Sequence, residues 1–318
     1  MIEVLLKNQE VLKVQNSSEL PPVEKLDFHI MQFIDSIPAD TCWLEENFDL
    51  DFSIMKHYED IEISSHFLET ESQVAFHFSM PYYNNDKRMV EEPIFIIISR
   101  LGLFLFSSSA LDEYFNRIYI NKIGSFLKVT GNKSVLTLQF EFISDYFADI
   151  TEILAKQVKN LANQILIDKV FENGDTDLIT EYNFSNLLIK ESLMETSRVL
   201  RLFLKSNWEQ DVSVKECVEA ELNDLIVVSD YVQFNFDRLD DLKENISNKI
   251  DLEQNYIFKM LTVATVCISL PTLIAGIYGM NFSRMPITET TYGFPAIIII
   301  MVFSATIPFI YFKRKKWL

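Results

Sequence analysis

The order of apolar and polar positions divides the chain into a mixed N-terminal part, a helical middle and two uncharged runs near the C-terminus. Residues 2–6 and 11–14 alternate as strands do, and further strands are predicted at 61–67, 74–78, 94–99 and 101–106. Helices are predicted from about 21 to 33 and from 111 to 120. Residues 1–133 are therefore expected to form an α/β domain.

The residues that follow this domain show the periodicity of helices. Apolar residues recur at spacings of three and four over about 134–170 and again over about 177–204. From Val212 no proline or glycine occurs until Pro271, so residues 212–280 predict one helix, on the order of 100 Å long at 1.5 Å per residue. Such a helix needs partners along its length, either the two preceding helices or copies of itself. Residues 134–256 are predicted to form a helical region and stalk.

Two uncharged runs are long enough to cross a bilayer, which requires about 20 residues. No charged side chain occurs from Met260 to Ser283 or from Ala296 to Phe312. Residues 313–316 are all basic, which predicts a cytoplasmic C-terminus by the positive-inside rule. With two spans, at about 257–280 and 292–312, the N-terminal domain is then also cytoplasmic. Residues 257–318 are expected to form the transmembrane region of a multi-pass protein of the plasma (inner) membrane.

One face of the first span carries small and hydroxyl-bearing side chains. Steps of three and four residues join Thr262, Thr265, Ser269, Thr272, Gly276 and Gly279. Continued towards the N-terminus, the same face carries Phe258, Asn255, Asp251, Asn248, Glu244, Asp241 and Asp237. If several copies surrounded an axis, this face would form a cation route that is acidic, then apolar, then hydroxylated. The alternative is a parallel coiled coil that enters a membrane, but its acidic core residues would face one another without partners.

Charge and composition restrict the possible functions. Removing the six basic residues and one acidic residue of 257–318 from the totals of 28 and 46 leaves a net charge of −23 on residues 1–256. Such a domain attracts cations and repels nucleic acid, although an acidic surface also serves solubility. Three widely spaced cysteines suit a reducing compartment. The four histidines show no ligand spacing, and no nucleotide-binding G-x-x-x-x-G-K-[ST] motif or nucleophile–base pair occurs, so neither an ATPase nor an enzyme is expected.

The end of the first span resembles a known family. Residues 270–282 read Leu-Pro-Thr-Leu-Ile-Ala-Gly-Ile-Tyr-Gly-Met-Asn-Phe, similar to the end of the first transmembrane helix of the CorA magnesium channels. The signature tripeptide of that family is Gly279-Met280-Asn281 in this chain. A loop, a second span and a basic C-terminus follow it, as in the family. Close sequence similarity to the family covers residues 257–318. Before residue 257, only the order of the secondary-structure elements agrees with the family.

The resemblance implies an α+β membrane protein that assembles as a funnel-shaped homopentamer. The cytosolic α/β domain would lead into a helical stalk continuous with the first transmembrane helix, which lines the pore. Gly279, Met280 and Asn281 would form the selectivity filter, with the amide oxygen of Asn281 facing hydrated Mg²⁺. The implied pore-lining residues are Thr272, Ser269, Thr265, Thr262 and Gly276. Phe258, with Leu261 or Thr262 one turn on, would form the hydrophobic gate with Asn255 just inside. Asp237 and Glu244 match acidic positions of the family's funnel, and Asp241 and Asp251 on the same helical face are further candidate funnel acids.

The function implied by this resemblance is passive uptake of divalent cations, chiefly Mg²⁺. Cytosolic Mg²⁺ would also close the channel by bridging neighbouring subunits, with Glu219, Glu221 and Asp224 as candidate ligands. The alternatives are Co²⁺ or Ni²⁺ transport, Zn²⁺ transport as in the related ZntB group, or a membrane scaffold that conducts nothing. One departure concerns the outer loop, where the family's Met-Pro-Glu-Leu is replaced by residues 285–288, Met-Pro-Ile-Thr. With Arg284 beside the entrance, selectivity is expected to rest more heavily on Asn281.

Overall fold

A computed structural model describes residues 1–56, 66–126, 132–167, 174–206, 208, 212–280, 285–287, 290 and 292–317. The chain divides into two compact units, Met1–Leu242 and Lys243–Leu318. The first unit contains a β-sheet and most of the helices. The second contains the end of the longest helix and the whole C-terminal helix.

A mixed sheet forms the middle layer of the first unit. In the described part of the chain it has seven strands in the order β2-β1-β3-β7-β6-β5-β4. They are β1 (Ile2–Leu6), β2 (Val11–Val14), β3 (Phe28–Ile34), β4 (Phe67–Glu69), β5 (Gln73–Tyr83), β6 (Met89–Ser99) and β7 (Leu103–Ser107). β3 and β7 are parallel, and the other neighbouring strands are antiparallel.

Helices cover both faces of this sheet. On one face, α1 (Pro38–Phe48) and α2 (Ser53–Lys56) pack on a core that includes Phe104 and Phe106. On the other face lie α3 (Ser109–Phe126), α4 (Asn132–Ala162), which continues as a π-helical turn over Asn163–Ile167, and α5 (Asp175–Lys205). There the ring of Phe76 on β5 meets Phe140 of α4 and Phe203 of α5 edge-on. The central strands of the sheet are thus covered on both sides.

Two more helices follow. α6 (Val212–Tyr278) contributes residues to both units, and α7 (Gly293–Arg314) belongs to the second. In the first unit Asn186 of α5 donates a hydrogen bond to the carbonyl oxygen of Val232 (2.9 Å), and Ser144 of α4 donates one to Glu221. Here α6 buries one stripe at steps of three and four residues: Val214, Val218, Leu222, Leu225, Val228, Val232, Asn235, Leu239 and Leu242. The preceding helices are therefore partners of α6, one of the two possibilities that its length indicated.

Most of the predicted elements are present. The strands predicted at 2–6, 11–14, 74–78, 94–99 and 101–106 are confirmed, with shifted ends, as are the helices after residue 110 and the second apolar helix. The strand predicted at 61–67 lies mostly outside the described residues, and β4 begins at Phe67. The sequence did not indicate α1 and α2.

The helix predicted from 21 to 33 is wrong. Val23–Lys25 form one 3₁₀ turn, and Phe28–Ile34 form β3. β3 lies between β1 and β7 and faces a packed layer on both sides of the sheet. A strand buried on both faces has a nearly continuous apolar run instead of a clean alternation, so its local pattern does not distinguish it from a buried helix.

Two histidines of the sheet form a buried pair. His66 lies just before β4 and His77 lies in β5, and their Nδ1 atoms are 2.7 Å apart with the rings stacked. Burial, reinforced by the neighbouring His66, lowers the pKa of His77 to about 3. The folded domain therefore keeps His77 neutral.

We predict that His77 makes the first unit less stable in mild acid. The unfolded chain binds a proton at His77 below its ordinary pKa of 6.5, whereas the folded chain does so only near a pKa of about 3. Stability is therefore lost as pH falls from 6.5 towards 3, by about 2 kcal/mol between about pH 7.5 and about pH 5. Hydrogen exchange of the β5 and β6 amides in the full-length protein measures this loss. A His77→Gln variant should show a smaller loss, and an unchanged loss would contradict the assignment.

Candidate functional site

Among the described residues, two helices are long and apolar enough to cross a membrane, α6 and α7. Only 6% of the most apolar window of each helix is buried within the chain. The core helix of a soluble protein would be mostly buried, so this exposure favours contact with lipid or with other subunits. Pro271 and Pro308 lie inside these helices, as membrane helices tolerate.

Each of the two helices has one covered face. Val263 of α6 is 3% exposed, and partly covered residues continue the same face at steps of three and four: Cys267, Pro271, Ile274 and Tyr278. The partly covered residues of α7 form a similar stripe: Ile297, Met301, Ser304, Pro308 and Phe312. The remaining faces of both helices are exposed in the single chain.

The predicted pore-lining residues lie on the opposite face of α6. Thr262, Thr265, Ser269, Thr272 and Gly276 are all exposed. Ser269 is two residues from the partly covered Cys267, which is about 200° around a helix of 3.6 residues per turn. An open groove along this face is lined by Thr265, Ser269, Thr272, Gly276 and Met280, together with flanking apolar side chains. One face of α6 is thus covered while the hydroxyl face stays free.

The hydroxyl groups on this face donate to their own helix. Thr262 Oγ1 donates to the carbonyl oxygen of Phe258 (2.8 Å), and Thr272 Oγ1 donates to that of Ile268 (2.8 Å). Ser269 Oγ makes a longer bond to Val266 (3.4 Å). A hydroxyl has one proton and two lone pairs, so once the proton is used the oxygen can still accept. This face therefore offers hydrogen-bond acceptors, which suit the outward-pointing protons of water around a cation.

The helix ends at the signature tripeptide. The Gly279 N–H donates to the carbonyl oxygen of Ala275 (2.8 Å), and the Met280 N–H donates to that of Ile277 (3.3 Å). A Cβ atom at Gly279 would lie 3.1 Å from the Ala275 oxygen, whereas one at Gly276 would meet nothing within 4 Å. A side chain at position 279 would thus crowd the Ala275 carbonyl, whereas Gly276 leaves free space on the groove. Asn281 lies outside the described residues.

The predicted gate residues are exposed and apolar. Phe258 is 65% exposed and Leu261 is 58% exposed, and Asn255 is exposed as well. Such large apolar side chains point away from the rest of their own chain. Their exposure fits contact with a neighbouring copy or with lipid.

The predicted funnel acids are also exposed. In the first unit, Asp237 accepts a hydrogen bond from Gln233 Nε2 (3.0 Å), and Asp241 is exposed beside it on the helix. In the second unit, Glu244 and Asp251 are exposed. These carboxylates are accessible to cations.

The candidate regulatory acids have different surroundings. Glu219 and Asp224 are exposed, whereas Glu221 turns towards α4 and accepts the hydrogen bond of Ser144. Oxygen atoms of Glu141 and Glu221 and the sulfur of Cys217 lie within 4.8 Å of one another. Burial raises the pKa of Glu221, and it raises the pKa of Cys217 to about 11, with the two glutamates adding to the shift. The local sequence pattern gives no sign of this cluster, because Glu141 of α4 lies far along the chain from Cys217 and Glu221 of α6.

The comparisons with known proteins agree over nearly the whole chain. The family described as CorA-like Mg²⁺ transporter protein matches residues 27–314. The magnesium transport protein CorA of Wolinella succinogenes is 29% identical over 328 residues, and that of Campylobacter jejuni is 27% identical over 336 residues, each covering 100% of both chains. The complete structure of the CorA magnesium transporter from Methanocaldococcus jannaschii superposes with a TM-score of 0.81 at 18% identity, covering 100% of this chain and 99% of that one.

The fold and the two apolar helices define an α+β membrane protein with two C-terminal spans. The chain belongs to the CorA-like Mg²⁺ transporter protein family. The resemblance carried by residues 257–318 is thereby confirmed and extends back to residue 27. Because this family consists of transporters, the prediction that the chain is not an enzyme is also confirmed.

Proposed function

We propose that the chain is one subunit of a homopentameric channel for passive uptake of divalent cations, chiefly Mg²⁺. The observation that carries this proposal is the exposed hydroxyl face of α6, opposite its covered face, in a chain of the Mg²⁺ transporter family. Five such faces around an axis would enclose a wet passage lined by oxygen atoms. The relatives named as magnesium transport proteins support the choice of ion.

The chemistry of Mg²⁺ favours a pore that handles the hydrated ion. Mg²⁺ demands octahedral oxygen and gives up its water reluctantly. The hydroxyls of Thr262 and Thr272 donate their protons in hydrogen bonds to backbone carbonyl oxygens. Their oxygen atoms can therefore still accept hydrogen bonds from the water molecules around the ion. These contacts are weak enough to let the ion leave, as conduction requires.

The selectivity filter is assigned to Gly279, Met280 and Asn281. A ring of neutral amide oxygens from Asn281 would hydrogen-bond the hydrated ion without stripping it, whereas carboxylates would hold it too tightly for exit. Two observations support this assignment: α6 ends at Tyr278, directly before the tripeptide, and Met280 lines the groove.

The gate is assigned to Phe258 and Leu261, with Asn255 on the cytosolic side. Both gate side chains are exposed in the single chain, and in a ring they would form an apolar constriction that closes by excluding water. The funnel acids Asp237, Asp241, Glu244 and Asp251 would raise the local cation concentration below it.

Mg²⁺ is proposed as regulator as well as cargo. An ion that bridges neighbouring subunits favours the arrangement in which the bridging groups are close, which would be the closed one. Among the three candidates, Glu219 and Asp224 are exposed and available to a neighbour, while Glu221 is engaged with Ser144 inside its own chain. We therefore favour Glu219 and Asp224.

The proposed setting is the plasma (inner) membrane with both termini in the cytoplasm. The four basic residues 313–316 beside the second span support this orientation. The membrane potential would then drive entry, at roughly 2.3 kcal/mol per charge per 100 mV, or about twice that for a divalent ion.

The first test of the pore assignment uses a matched pair of threonines. Thr272 in α6 and Thr306 in α7 are both exposed and both donate to their own helix at 2.8 Å. In a chain whose native cysteines are replaced by alanine, a cationic methanethiosulfonate should block Mg²⁺ flux through Thr272→Cys and leave Thr306→Cys active. The physical reason is that only the α6 face would border water. If the reagent blocked both variants equally, or blocked neither, the assignment of the pore-lining face to α6 would be wrong.

The second test concerns Asn281 and the identity of the ion. Uptake of Mg²⁺, Co²⁺, Ni²⁺ and Zn²⁺ is measured in a strain that lacks its own magnesium uptake. Asn281→Ala should lower Mg²⁺ uptake about tenfold, the size expected for losing hydrogen bonds to a charged shell. Thr290→Ala in the same loop serves as the control and should keep full uptake. Unchanged Mg²⁺ uptake in Asn281→Ala would exclude the amide ring, and wild-type preference for Zn²⁺, Co²⁺ or Ni²⁺ would select an alternative cargo.

The third test concerns the gate. Phe258→Ala should raise the residual flux at high internal Mg²⁺ several-fold, because a smaller side chain lets water re-enter the constriction. Ile257→Ala is the control, since Ile257 is 56% exposed but points about 100° away from Phe258 on the helix. Liposomes containing the purified protein measure both fluxes. An equal rise in flux in both variants would contradict the assignment of Phe258 to the gate. If the wild type conducted no Mg²⁺ in liposomes, the alternative of a non-conducting scaffold would be favoured.

A further inference from the structure

A cavity lies in the first unit between the sheet and the helices of its second face. Its volume is about 320 Å³, it is lined by strands of the sheet on one side and by α3 and α4 on the other, and it opens to solvent beside Val11 and Lys13. Small-molecule sites in proteins begin at about 300 Å³. None of its lining residues belongs to the ion route assigned above, so the cavity needs its own explanation.

Most of the cavity floor is apolar and deeply buried. Phe78 and Met80 of β5 and Ile94 and Ile96 of β6 are each at most 6% exposed, and all four line the cavity. Protein interiors rarely leave voids larger than a water molecule. An engineered apolar cavity of about 150 Å³ stays dry and takes up benzene. A space of about 320 Å³ with such a floor is therefore suited to an apolar body.

The cavity also has a polar side, which carries the half-buried carboxylate of Asp112. Asp112 of α3 accepts hydrogen bonds from Gln32 Nε2 (3.0 Å) and from Asn116 Nδ2 (2.9 Å). Both donors are neutral amides, so they orient the carboxylate without cancelling its charge. The nearby Lys13 Nζ lies 2.5 Å from Glu3 Oε1, so its charge is shared with that glutamate.

The electrostatics of this polar side favour a cationic group. Burial is the largest influence on Asp112 and raises its pKa, while the hydrogen bond from Gln32 opposes the shift. A carboxylate that loses hydration is stabilised by a positive charge within hydrogen-bond distance. Among the described lining residues the charged groups are Glu3, Asp112 and Lys13, which leaves a net negative charge.

We propose that this cavity binds a small amphiphilic amine, with its apolar ring or chain over the floor of β5 and β6 and its ammonium group on Asp112. The site is separate from the ion route, so it stands or falls independently of the proposed channel function.

The test uses three probes of the same shape and different charge: benzylamine, benzyl alcohol and benzoate. Binding to the full-length protein in detergent is measured by calorimetry and by the ligand-induced rise in the unfolding temperature of the first unit. Benzylamine should bind about tenfold more tightly than benzyl alcohol, the size expected for one hydrogen bond to a charged group. Benzoate should bind more weakly than either.

Two variants and one control locate the binding. Asp112→Asn should reduce the preference for benzylamine over benzyl alcohol to about one while keeping the apolar binding. Ile96→Phe should fill the floor and abolish binding of all three probes, and Ile94→Phe provides a second filling variant if the first fails to fold. Asp86→Asn is the control, because Asp86 is an exposed acid in the turn between β5 and β6. This variant is measured in the same detergent and should bind the probes as the wild type does.

The outcomes separate clearly. An amine preference that is lost in Asp112→Asn, with all binding lost in a folded filling variant, supports the site. Absence of saturable binding in the wild type overturns it. Binding that survives a folded filling variant places the probes elsewhere and also overturns it. Equal affinity for the amine and the alcohol in the wild type rejects the amine as the ligand class.

Discussion

In lipid, every backbone N–H and C=O group must find its hydrogen-bond partner within the protein. An α-helix meets this requirement within a single segment, so the C-terminal part of this chain is helical. Once α6 is a helix, its side chains fall on fixed faces, and the spacing of three and four residues decides what each face meets. In the second unit one face is covered around Val263, while the opposite face keeps its threonine and serine hydroxyls exposed. The hydroxyls of Thr262, Ser269 and Thr272 donate back to the helix, so their oxygen atoms remain available as acceptors.

The first unit secures the other end of the same helix. There α6 hides an apolar stripe from Val214 to Leu242 and receives hydrogen bonds from α4 and α5. This packing matters for the 67-residue helix, because helices in proteins gain most of their stability from tertiary packing of an amphipathic face. The first unit therefore supports this part of α6, and the acidic composition of residues 1–256 gives that region a potential that attracts cations.

The first unit also contains features that conduction does not require. The stacked pair of His66 and His77 buries a titratable ring in the sheet, and the cavity at Asp112 leaves apolar volume unfilled. Both cost stability in a domain whose other core positions are closely packed aromatic rings, such as Phe76 against Phe203. A role in ligand binding gives the cavity a physical reason.

Local periodicity in the sequence determined the two spans, the long helix, the hydroxyl face and, through Gly279-Met280-Asn281, the family, because each depends on residues close together in the chain. Only the tertiary structure decided that Phe28–Ile34 is a central strand, since its pairing partners in β1 and β7 lie far away in sequence. It likewise decided that Glu221 faces Ser144 and Glu141 of α4, that His66 meets His77, and that a cavity opens beside Asp112. These contacts join distant segments, and a pattern that repeats every three or four residues carries no information about which segments will meet.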